Sequence, residues 1–366
     1  MVSWRSRGVA ALLAFVCALA AGGCGSDDDP DAPRSFFGVM TQGPPTDAQF
    51  ARMQQGGVGV FRAFLAWRDI EPTQGQFDFS TVDPVVRGAA EHGIEVLPYL
   101  FASPDWLAGL NGGECGEQCP IFAPESEAAL DAWKQFVAAA VKRYGPGGQF
   151  WDENPDVPAM PIRAWQIWNE QNSPTFFGPR PDSVAYERLV ATAEEQIHAV
   201  DPKAEIVLGG MFGTPLGGRP PAITGPDFLA ELYRIEGDQP RFDAVAVHPY
   251  GAQPTKVTEQ VTELHDVIEQ AGDDARLWVT EIGWSSGDGS DPLERGPDGQ
   301  AERLSEAFSY LIDNREELNL QGVAWYSWGD LTGAGICAWC AHSGLFTEDG
   351  TPKPAWATFT GFTGGS

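Results

Sequence analysis

The sequence has few basic residues: 23 Lys and Arg stand against 51 Asp and Glu, which gives a formal net charge of −28. The acidic residues are spread along the chain, so they repel phosphate backbones and anionic lipid head groups, and nucleic-acid binding is not expected. A neutral ligand is unaffected by this balance. Histidine is also scarce, with five in the chain, and we cannot assemble from them the His and Asp cluster of a metal-dependent hydrolase.

The sequence also lacks a phosphate-binding motif and an apolar run long enough to span a membrane comfortably. No glycine-rich phosphate-binding loop follows an early strand, which disfavours a nucleotide-binding, doubly wound sheet. Near the N-terminus an apolar run follows Arg5 and Arg7, but this run is too short for a comfortable membrane span. The pattern is that of a secretory signal peptide, and we expect an exported protein.

Residues 1–23 form this predicted signal peptide. Its last residues, Ala21, Gly22 and Gly23, precede Cys24 and resemble a bacterial lipobox, which would imply cleavage before Cys24 and acylation of its thiol. Ordinary cleavage without a lipid is the alternative. Residues 24–35 are acidic and contain proline, so they are expected to form a flexible tether. The protein is therefore expected to be a cell-envelope lipoprotein, touching the membrane only through Cys24, or a secreted protein.

Four other cysteines occur as two close pairs, with spacings C-x3-C and C-x2-C. Disulfides are the default in an exported protein. A zinc site is the alternative, but the neighbouring sequence offers no clear set of His partners. The sequence leaves three disulfide connectivities open. The four residues are Cys115, Cys119, Cys337 and Cys340.

Eight apolar stretches alternate with helical patterns across residues 36–366. The helix predicted at 125–144 is the clearest, because its apolar residues recur at three- and four-residue steps. The strands are nearly continuously apolar, which favours a parallel sheet buried on both faces. Eight strands close into a single (β/α)8 TIM barrel, with the active site at their carboxyl ends; an open doubly wound sheet is the alternative. The strand stretches are 36–40, 57–67, 94–101, 162–172, 205–212, 242–250, 276–286 and 321–328.

Two of these stretches contain a carboxylate near the strand end. Asn169-Glu170 ends the strand in 162–172, and Glu281 ends the strand in 276–286. A carboxylate at the tip of a buried strand is costly to desolvate unless it is paired or takes part in chemistry. Considered alone, each glutamate fits a surface residue at a strand end better than a catalytic residue. Within a barrel, however, the two together fit the general acid and the nucleophile of glycosidic bond cleavage.

Other polar and aromatic residues fall at strand ends in the same register. Arg62 could hold Glu281 ionised through a charge-assisted hydrogen bond, and Asn169 could bind a sugar hydroxyl. His248 fits a hydrogen-bonded structural residue as well as it fits a site residue. Tryptophans occur both as core residues and as platforms on which sugars stack. The further candidates at the mouth are Tyr250 and Trp325 or Trp328, with Trp106 and Trp339 in predicted loops as outer subsites.

Together these motifs resemble the clan A glycoside hydrolases, (β/α)8 barrels that include families 39, 42 and 5. The resemblance rests on WNEQN, TEIGWSS, HPY, WYSW and W-x3-EP-x2-G-x-F. It implies that Glu170 is the acid/base and Glu281 the nucleophile. It also implies that Asn169 and Arg62 are the family's asparagine and strand-two arginine, that His248 and Tyr250 are its strand-six pair, and that a tryptophan of WYSW lies under the bound sugar.

The resemblance implies a retaining glycosidase that acts on a carbohydrate and needs no metal or organic cofactor. The two carboxyl groups of such an enzyme stand about 5–5.5 Å apart. We expect a monomer. The alternative from another class is a catalytically inactive, carbohydrate-binding surface lipoprotein on the same barrel.

Overall fold

The computed structural model describes residues 32–213, 222–237, 239–289, 291–331 and 337–366. The predicted signal peptide, Cys24 and most of the predicted tether lie outside these ranges. The last tether residues are packed on the domain, because Ala32 is buried and the Arg34 guanidinium donates to the Val58 carbonyl at 2.8 and 3.0 Å. None of the described helices combines the length and the apolar character that a membrane span needs.

The described strands form a closed parallel barrel, which confirms the predicted (β/α)8 fold. Each strand pairs in parallel with the next, and the eighth pairs with the first. The fifth strand consists of two segments separated by Gly209 and Gly210, and both segments pair with the sixth strand. The strands are β1 Phe37–Met40, β2 Val60–Ala66, β3 Glu95–Phe101, β4 Ala164–Ile167, β5 Glu205–Leu208 with Met211–Phe212, β6 Ala244–His248, β7 Arg276–Ile282 and β8 Leu320–Tyr326.

The helices begin at the capping residues that their sequences provide. Thr46 accepts a hydrogen bond from the Gln49 backbone and completes a capping box, while Ser126 and Asp182 cap two of the longest helices. The helices are α1 Asp47–Gln55, α2 Trp67–Ile70, α3 Asp83–Glu91, α4 Leu107–Leu110, α5 Glu127–Tyr144, α6 Gln149–Glu153, α7 Ser183–Val200, α8 Gly225–Glu236, α9 Pro254–Ala271, α10 Gly296–Asp313 and α11 Pro354–Thr363, with 3-10 turns at Arg34–Phe36, Gly116–Ile121 and Trp339–His342.

The barrel interior changes from apolar to polar along the strands. Its lower layer is a separate apolar cluster that includes Val60 of β2, Ala246 of β6 and Trp278 of β7. Because side chains on one face of a strand recur every second residue, the next inward positions on β2 and β6 are Arg62 and His248. The strand periodicity therefore places a buried polar layer next to the apolar one, towards the carboxyl ends of the barrel strands.

Two disulfides connect neighbouring residues in the sequence, Cys115 with Cys119 and Cys337 with Cys340. The predicted disulfides are confirmed, and the connectivity that the sequence left open is two local bridges. The first bridge lies in the segment between α4 and α5. The second lies after β8, at the mouth of the barrel.

Candidate active site

A cavity of about 1090 Å³ opens at the carboxyl ends of the barrel strands. This is the end at which (β/α)8 enzymes place their active sites, and the volume is that of a site for a substantial small molecule. Its wall is rich in aromatic rings. The described residues that line it include Met40, Phe64, Tyr99, Phe101, Asn169, Glu170, Phe176, Tyr250, Glu281, Tyr326 and Trp339.

Glu170 reaches the cavity through a sharp backbone change after β4. Trp168 and Glu170 adopt left-handed conformations, with φ of 71° and 48°, at a cost of about 1–3 kcal/mol each for residues with side chains. The Glu170 backbone N–H donates to the Gly210 carbonyl at 3.0 Å. A side chain at Gly210 would place its Cβ only 2.0 Å from Nε2 of His248. The glycine in β5 therefore makes room for the imidazole that contacts Glu170.

The Glu170 carboxyl group is buried, and its two oxygens differ. Oε1 lies 2.7 Å from Nδ1 of His248, whereas Oε2 has no hydrogen-bond partner among the described residues. Burial and then the charge of Glu281 raise the pKa of Glu170 well above its ordinary value, and the charge of Arg62 opposes this rise. The surroundings of Glu170 therefore favour its protonated form.

The Glu281 carboxylate has a donor on each oxygen. Oε1 accepts from Arg62 Nη1 at 2.5 Å, and Oε2 accepts from the Tyr250 hydroxyl at 2.7 Å. Burial and the charge of Glu281 raise the pKa of Tyr250 well above its ordinary value, so the phenol stays a donor. These are charge-assisted hydrogen bonds to an ionised group. Each oxygen of Glu281 thus has a donor, whereas the described residues supply a partner to Oε1 of Glu170 alone.

Arg62 connects Glu281 to β4. It is buried below the cavity, where Nη2 donates to Asn169 Oδ1 at 2.7 Å and Nε donates to Gln166 Oε1 at 2.8 Å. Its guanidinium carbon lies 4.0 Å from the centre of the Tyr99 ring. A guanidinium with several acceptors and a ring on its face is fixed in orientation. Arg62 therefore fixes the relative positions of the β4 and β7 ends.

His248 is fully buried and neutral, because burial and the charge of Arg62 lower its pKa well below the ordinary value. Gln166 gives its oxygen to Arg62, so its Nε2 donates to Thr280 Oγ1 at 3.2 Å. The Thr280 hydrogen is then directed to Nε2 of His248, 3.0 Å away. This network assigns the imidazole proton to Nδ1, from which it is donated to Glu170 Oε1.

The structure brings together six of the residues expected at the site: Arg62, Asn169, Glu170, His248, Tyr250 and Glu281. It does not bring the two tryptophans of WYSW to the cavity. Trp325 is fully buried and packs against Phe308 of α10, and Trp328 packs among aromatic rings of the C-terminal segment. Because neighbouring strand residues face opposite sides, Tyr326 lines the cavity instead, together with Trp339.

Two residues of the hydrogen-bond network at the site were missed in the sequence. Gln166 and Thr280 are fully buried polar residues inside otherwise apolar strands. Gln166 lies on β4, the strand that precedes Glu170, and Thr280 lies on β7, the strand that contains Glu281. A polar side chain in such a strand needs a buried partner. That requirement was the available signal, and it points to the hydrogen-bond network below the carboxylates.

Glu170, His248 and Glu281 each offer an atom that could bind a metal ion, and these atoms lie within 4.8 Å of one another. The Arg62 guanidinium already donates to Glu281 Oε1 at 2.5 Å. A metal ion between these ligands would lie beside this fixed positive charge, which disfavours its binding. The donor set therefore fits proton transfer better than metal binding.

Two buried glutamates that meet in a cavity at the carboxyl ends of a (β/α)8 barrel define a site of the glycoside hydrolase type. Comparisons with known proteins agree. A beta-galactosidase family model, glycoside hydrolase family 42, matches residues 44–109, and a glycosyl hydrolase catalytic core model matches residues 211–359. A beta-galactosidase of Xanthomonas manihotis is 31% identical over 130 residues, which are 32% of this chain and 19% of that protein.

Solved structures share the fold across most of this chain. A family 39 glycoside hydrolase of Bacteroides cellulosilyticus WH2 is 22% identical with a TM-score of 0.65, covering 91% of this chain and 64% of that one. The family 39 enzyme of Xanthomonas axonopodis pv. citri is 20% identical with a TM-score of 0.66, covering 90% and 66%. The chain thus spans under a fifth of the curated relative and about two thirds of these structures. The resemblance to clan A glycoside hydrolases with a (β/α)8 barrel is confirmed.

Proposed function

We propose that the protein is a retaining glycosidase, which hydrolyses O-glycosidic bonds of an oligo- or polysaccharide by double displacement. Glu170 is the acid/base and Glu281 the nucleophile. The observation that carries this proposal is the approach of the two side chains, with one oxygen of each within 4.8 Å, in opposite electrostatic surroundings. Inverting enzymes keep their carboxyl groups about 6.5–9.5 Å apart to admit a water molecule, so the close approach favours retention.

In the first step Glu281 attacks the anomeric carbon of the bound sugar. The bond from this carbon to the glycosidic oxygen breaks, and the leaving oxygen takes the proton of Glu170. Oε2 of Glu170 is the buried oxygen with no partner among the described residues, so it is the atom placed to carry that proton. Products of this step are the free leaving group and a glycosyl ester of Glu281.

In the second step water hydrolyses the ester. Glu170, now a carboxylate, takes a proton from the water as it attacks the anomeric carbon, and Glu281 leaves as a carboxylate. The Nδ1–H of His248 donates to Glu170 Oε1 and stabilises the negative charge between the two steps. The neutral imidazole does this without adding a positive charge that would lower the pKa of the acid.

Asn169 is placed to bind the sugar next to the reacting carbon. Its Oδ1 accepts from Arg62 at 2.7 Å, which fixes the orientation of the amide. Its Nδ2 then faces away from Arg62 and has no acceptor within the described part of the chain. A donor in this position can bind a sugar hydroxyl, and such bonds strengthen in the transition state.

The substrate class follows from the cavity and from the relatives. The wall contains several aromatic rings, which suit the apolar faces of sugar rings, and the net charge of −28 disfavours acidic sugars. The curated relative is a beta-galactosidase. We therefore propose a neutral substrate and β-galactosides as the first to test.

The test is hydrolysis of 4-nitrophenyl glycosides and polysaccharides by the wild type, Glu170→Gln and Glu281→Gln. Glu205→Gln is the matched control. Glu205 is also a buried glutamate, but it lies at the amino end of β5, away from the cavity. We expect turnover by the wild type and the control. Glu281→Gln should lose it on every substrate, and Glu170→Gln should lose it on polysaccharides, whose leaving group needs the proton. Binding of sugars by all four proteins without any turnover would support the inactive carbohydrate-binding protein instead.

We also propose export with a lipid anchor on Cys24 and a monomeric state. The two disulfides support an oxidising compartment. Expression of the full chain and of Cys24→Ala in a bacterium, followed by fractionation, tests the anchor. We expect the wild type in the membrane fraction and the variant in the soluble exported fraction. Equal distribution would contradict the anchor, and a dimer in gel filtration would contradict the monomer.

A further inference from the structure

The second disulfide lies in the wall of the active-site cavity. Cys337, Trp339 and Cys340 all line it, and the bridge between the two cysteines closes a short loop that contains Trp339. The Cys340 backbone N–H also contacts Cys337 Sγ at 3.1 Å. The tryptophan is thus carried by one of the tightest covalent loops that a chain can form.

Trp339 packs on the side of the cavity that holds Glu281. Its ring centre lies 5.0 Å from that of Tyr250 and 5.5 Å from that of Tyr326, both within the range of aromatic pairs. Tyr250 in turn donates to Glu281 Oε2. The three rings form a continuous surface, the Trp339 wall, beside the proposed nucleophile.

The opposite side of the cavity has a separate set of rings. Phe64 of β2, Phe101 of β3 and Phe176 after β4 line it, and Phe64 is 43% exposed. This side carries the proposed acid, which protonates the leaving group. Because the barrel strands β2 to β4 lie across from β6 to β8, the Trp339 wall faces the sugar that becomes bonded to Glu281.

We propose that Trp339 is a binding residue for this sugar and that the Cys337–Cys340 disulfide is what holds it in position. The inference rests on the proposed function. Among the described residues, the contacts that position the Trp339 ring are those with Tyr250 and Tyr326. A covalent loop removes much of the conformational freedom that a tryptophan in an open segment would lose when substrate binds.

The experiment compares two matched disulfides in the same protein. Cys337→Ser/Cys340→Ser opens the bridge in the cavity wall, and Cys115→Ser/Cys119→Ser opens the other local bridge, which lines a separate, smaller cavity. With the best 4-nitrophenyl glycoside, we expect the first variant to raise KM about three- to tenfold, the effect of losing an aromatic contact. The effect falls on KM more than on kcat, and the control variant keeps the wild-type KM.

Variants of Trp339 test the link between the bridge and the ring. Trp339→Ala should raise KM as much as opening the bridge, Trp339→Phe should restore most of the affinity, and Trp339→Ala combined with the open bridge should be no worse than Trp339→Ala alone. Calorimetric titration of the same glycoside into Glu170→Gln, with and without the bridge, gives the comparison as Kd without turnover.

The possible failures are distinguishable. An active enzyme whose KM is unchanged in Trp339→Ala, or which loses as much affinity on opening the Cys115–Cys119 bridge, contradicts the role of the Trp339 wall. Absence of turnover in the wild type contradicts the proposed function instead. In that case an unchanged Kd after opening the Cys337–Cys340 bridge overturns the present inference, and a weakened Kd supports it for a binding protein.

Discussion

Replacement of Glu170 by glutamine removes the proposed catalytic proton and leaves the surrounding hydrogen bonds in place. The amide oxygen of the new side chain can still accept from His248 Nδ1, which lies 2.7 Å from Oε1 of Glu170. Its amino group takes the place of Oε2, which is buried and has no partner in the part of the chain that the structure describes. The variant should therefore fold, and its loss of activity should report chemistry.

The size of the loss follows from the role of the acid. General acid catalysis contributes about 10²–10⁴-fold in rate, which is about 2.7–5.4 kcal/mol of transition-state stabilisation. A sugar leaving group needs that proton, whereas 2,4-dinitrophenolate is stable without it. We therefore expect kcat/KM of Glu170→Gln to fall by about 10²–10⁴-fold on a disaccharide and by much less on the 2,4-dinitrophenyl glycoside.

Initial rates on the two substrates, for the wild type, Glu170→Gln and Glu281→Gln, provide the assay. Glu281→Gln lacks the nucleophile, so its activity should be lost with both leaving groups. A loss in Glu170→Gln that is equal for the two substrates would refute the assignment of Glu170 as the acid. Full activity of Glu281→Gln on either substrate would refute the assignment of the nucleophile.

Three other predictions follow from the charged groups. Glu170 donates only when protonated, and burial raises its pKa above the ordinary 4.5. The wild-type kcat/KM should therefore stay high at pH values above 4.5 and fall only as pH rises through the raised pKa. A fall in kcat/KM at the ordinary pKa would contradict the burial argument. Burial raises the pKa of Glu236 from 4.5 to about 7, so the folded state keeps a proton that the unfolded chain has lost, and the stability this gives is full below pH 4.5 and lost as pH rises through 7. Glu236→Gln should therefore raise Tm at pH 8, by the equivalent of about 1–2 kcal/mol after allowance for partial exposure, and should leave Tm unchanged at pH 4. Equal shifts of Tm at the two pH values would contradict this role of Glu236. Arg62→Leu should cost about 3–5 kcal/mol in urea unfolding by leaving a buried carboxylate unpaired and should abolish activity, whereas Arg143→Leu, which breaks an ion pair outside the cavity, should lower stability and keep activity.

The barrel could be predicted because each strand is a buried apolar run and each main helix has a cap and a periodic stripe. The boundaries were less certain. The predicted strand stretch 162–172 is a strand only over Ala164–Ile167, because the left-handed conformations of Trp168 and Glu170 turn the chain into the cavity. The predicted strand 205–212 is interrupted at Gly209 and Gly210. Such backbone features cannot be predicted from the pattern of apolar residues.

The carboxylates and their partners could be located because the ends of parallel strands meet at one mouth. The aromatic residue of β8 could not, since a one-residue difference in strand register decides which ring enters the barrel. Trp325 and Tyr326 are neighbours with opposite directions: Trp325 packs against Phe308 of α10, and Tyr326 lines the cavity. Trp339 comes from a loop, where no strand period exists to orient it. Its placement depends on the Cys337–Cys340 bridge and on neighbouring rings.

The central claim is that Glu281 forms a covalent bond to the substrate while Glu170 supplies and takes back a proton. A 2-deoxy-2-fluoro glycoside with a 2,4-dinitrophenyl leaving group, made from the best sugar in the substrate panel, would form the ester and hydrolyse it slowly. Mass spectrometry of the intact protein should then show one added fluorosugar, and peptide mapping should place it on Glu281. A label on another residue, or steady turnover without any label and with inverted product, would contradict the account.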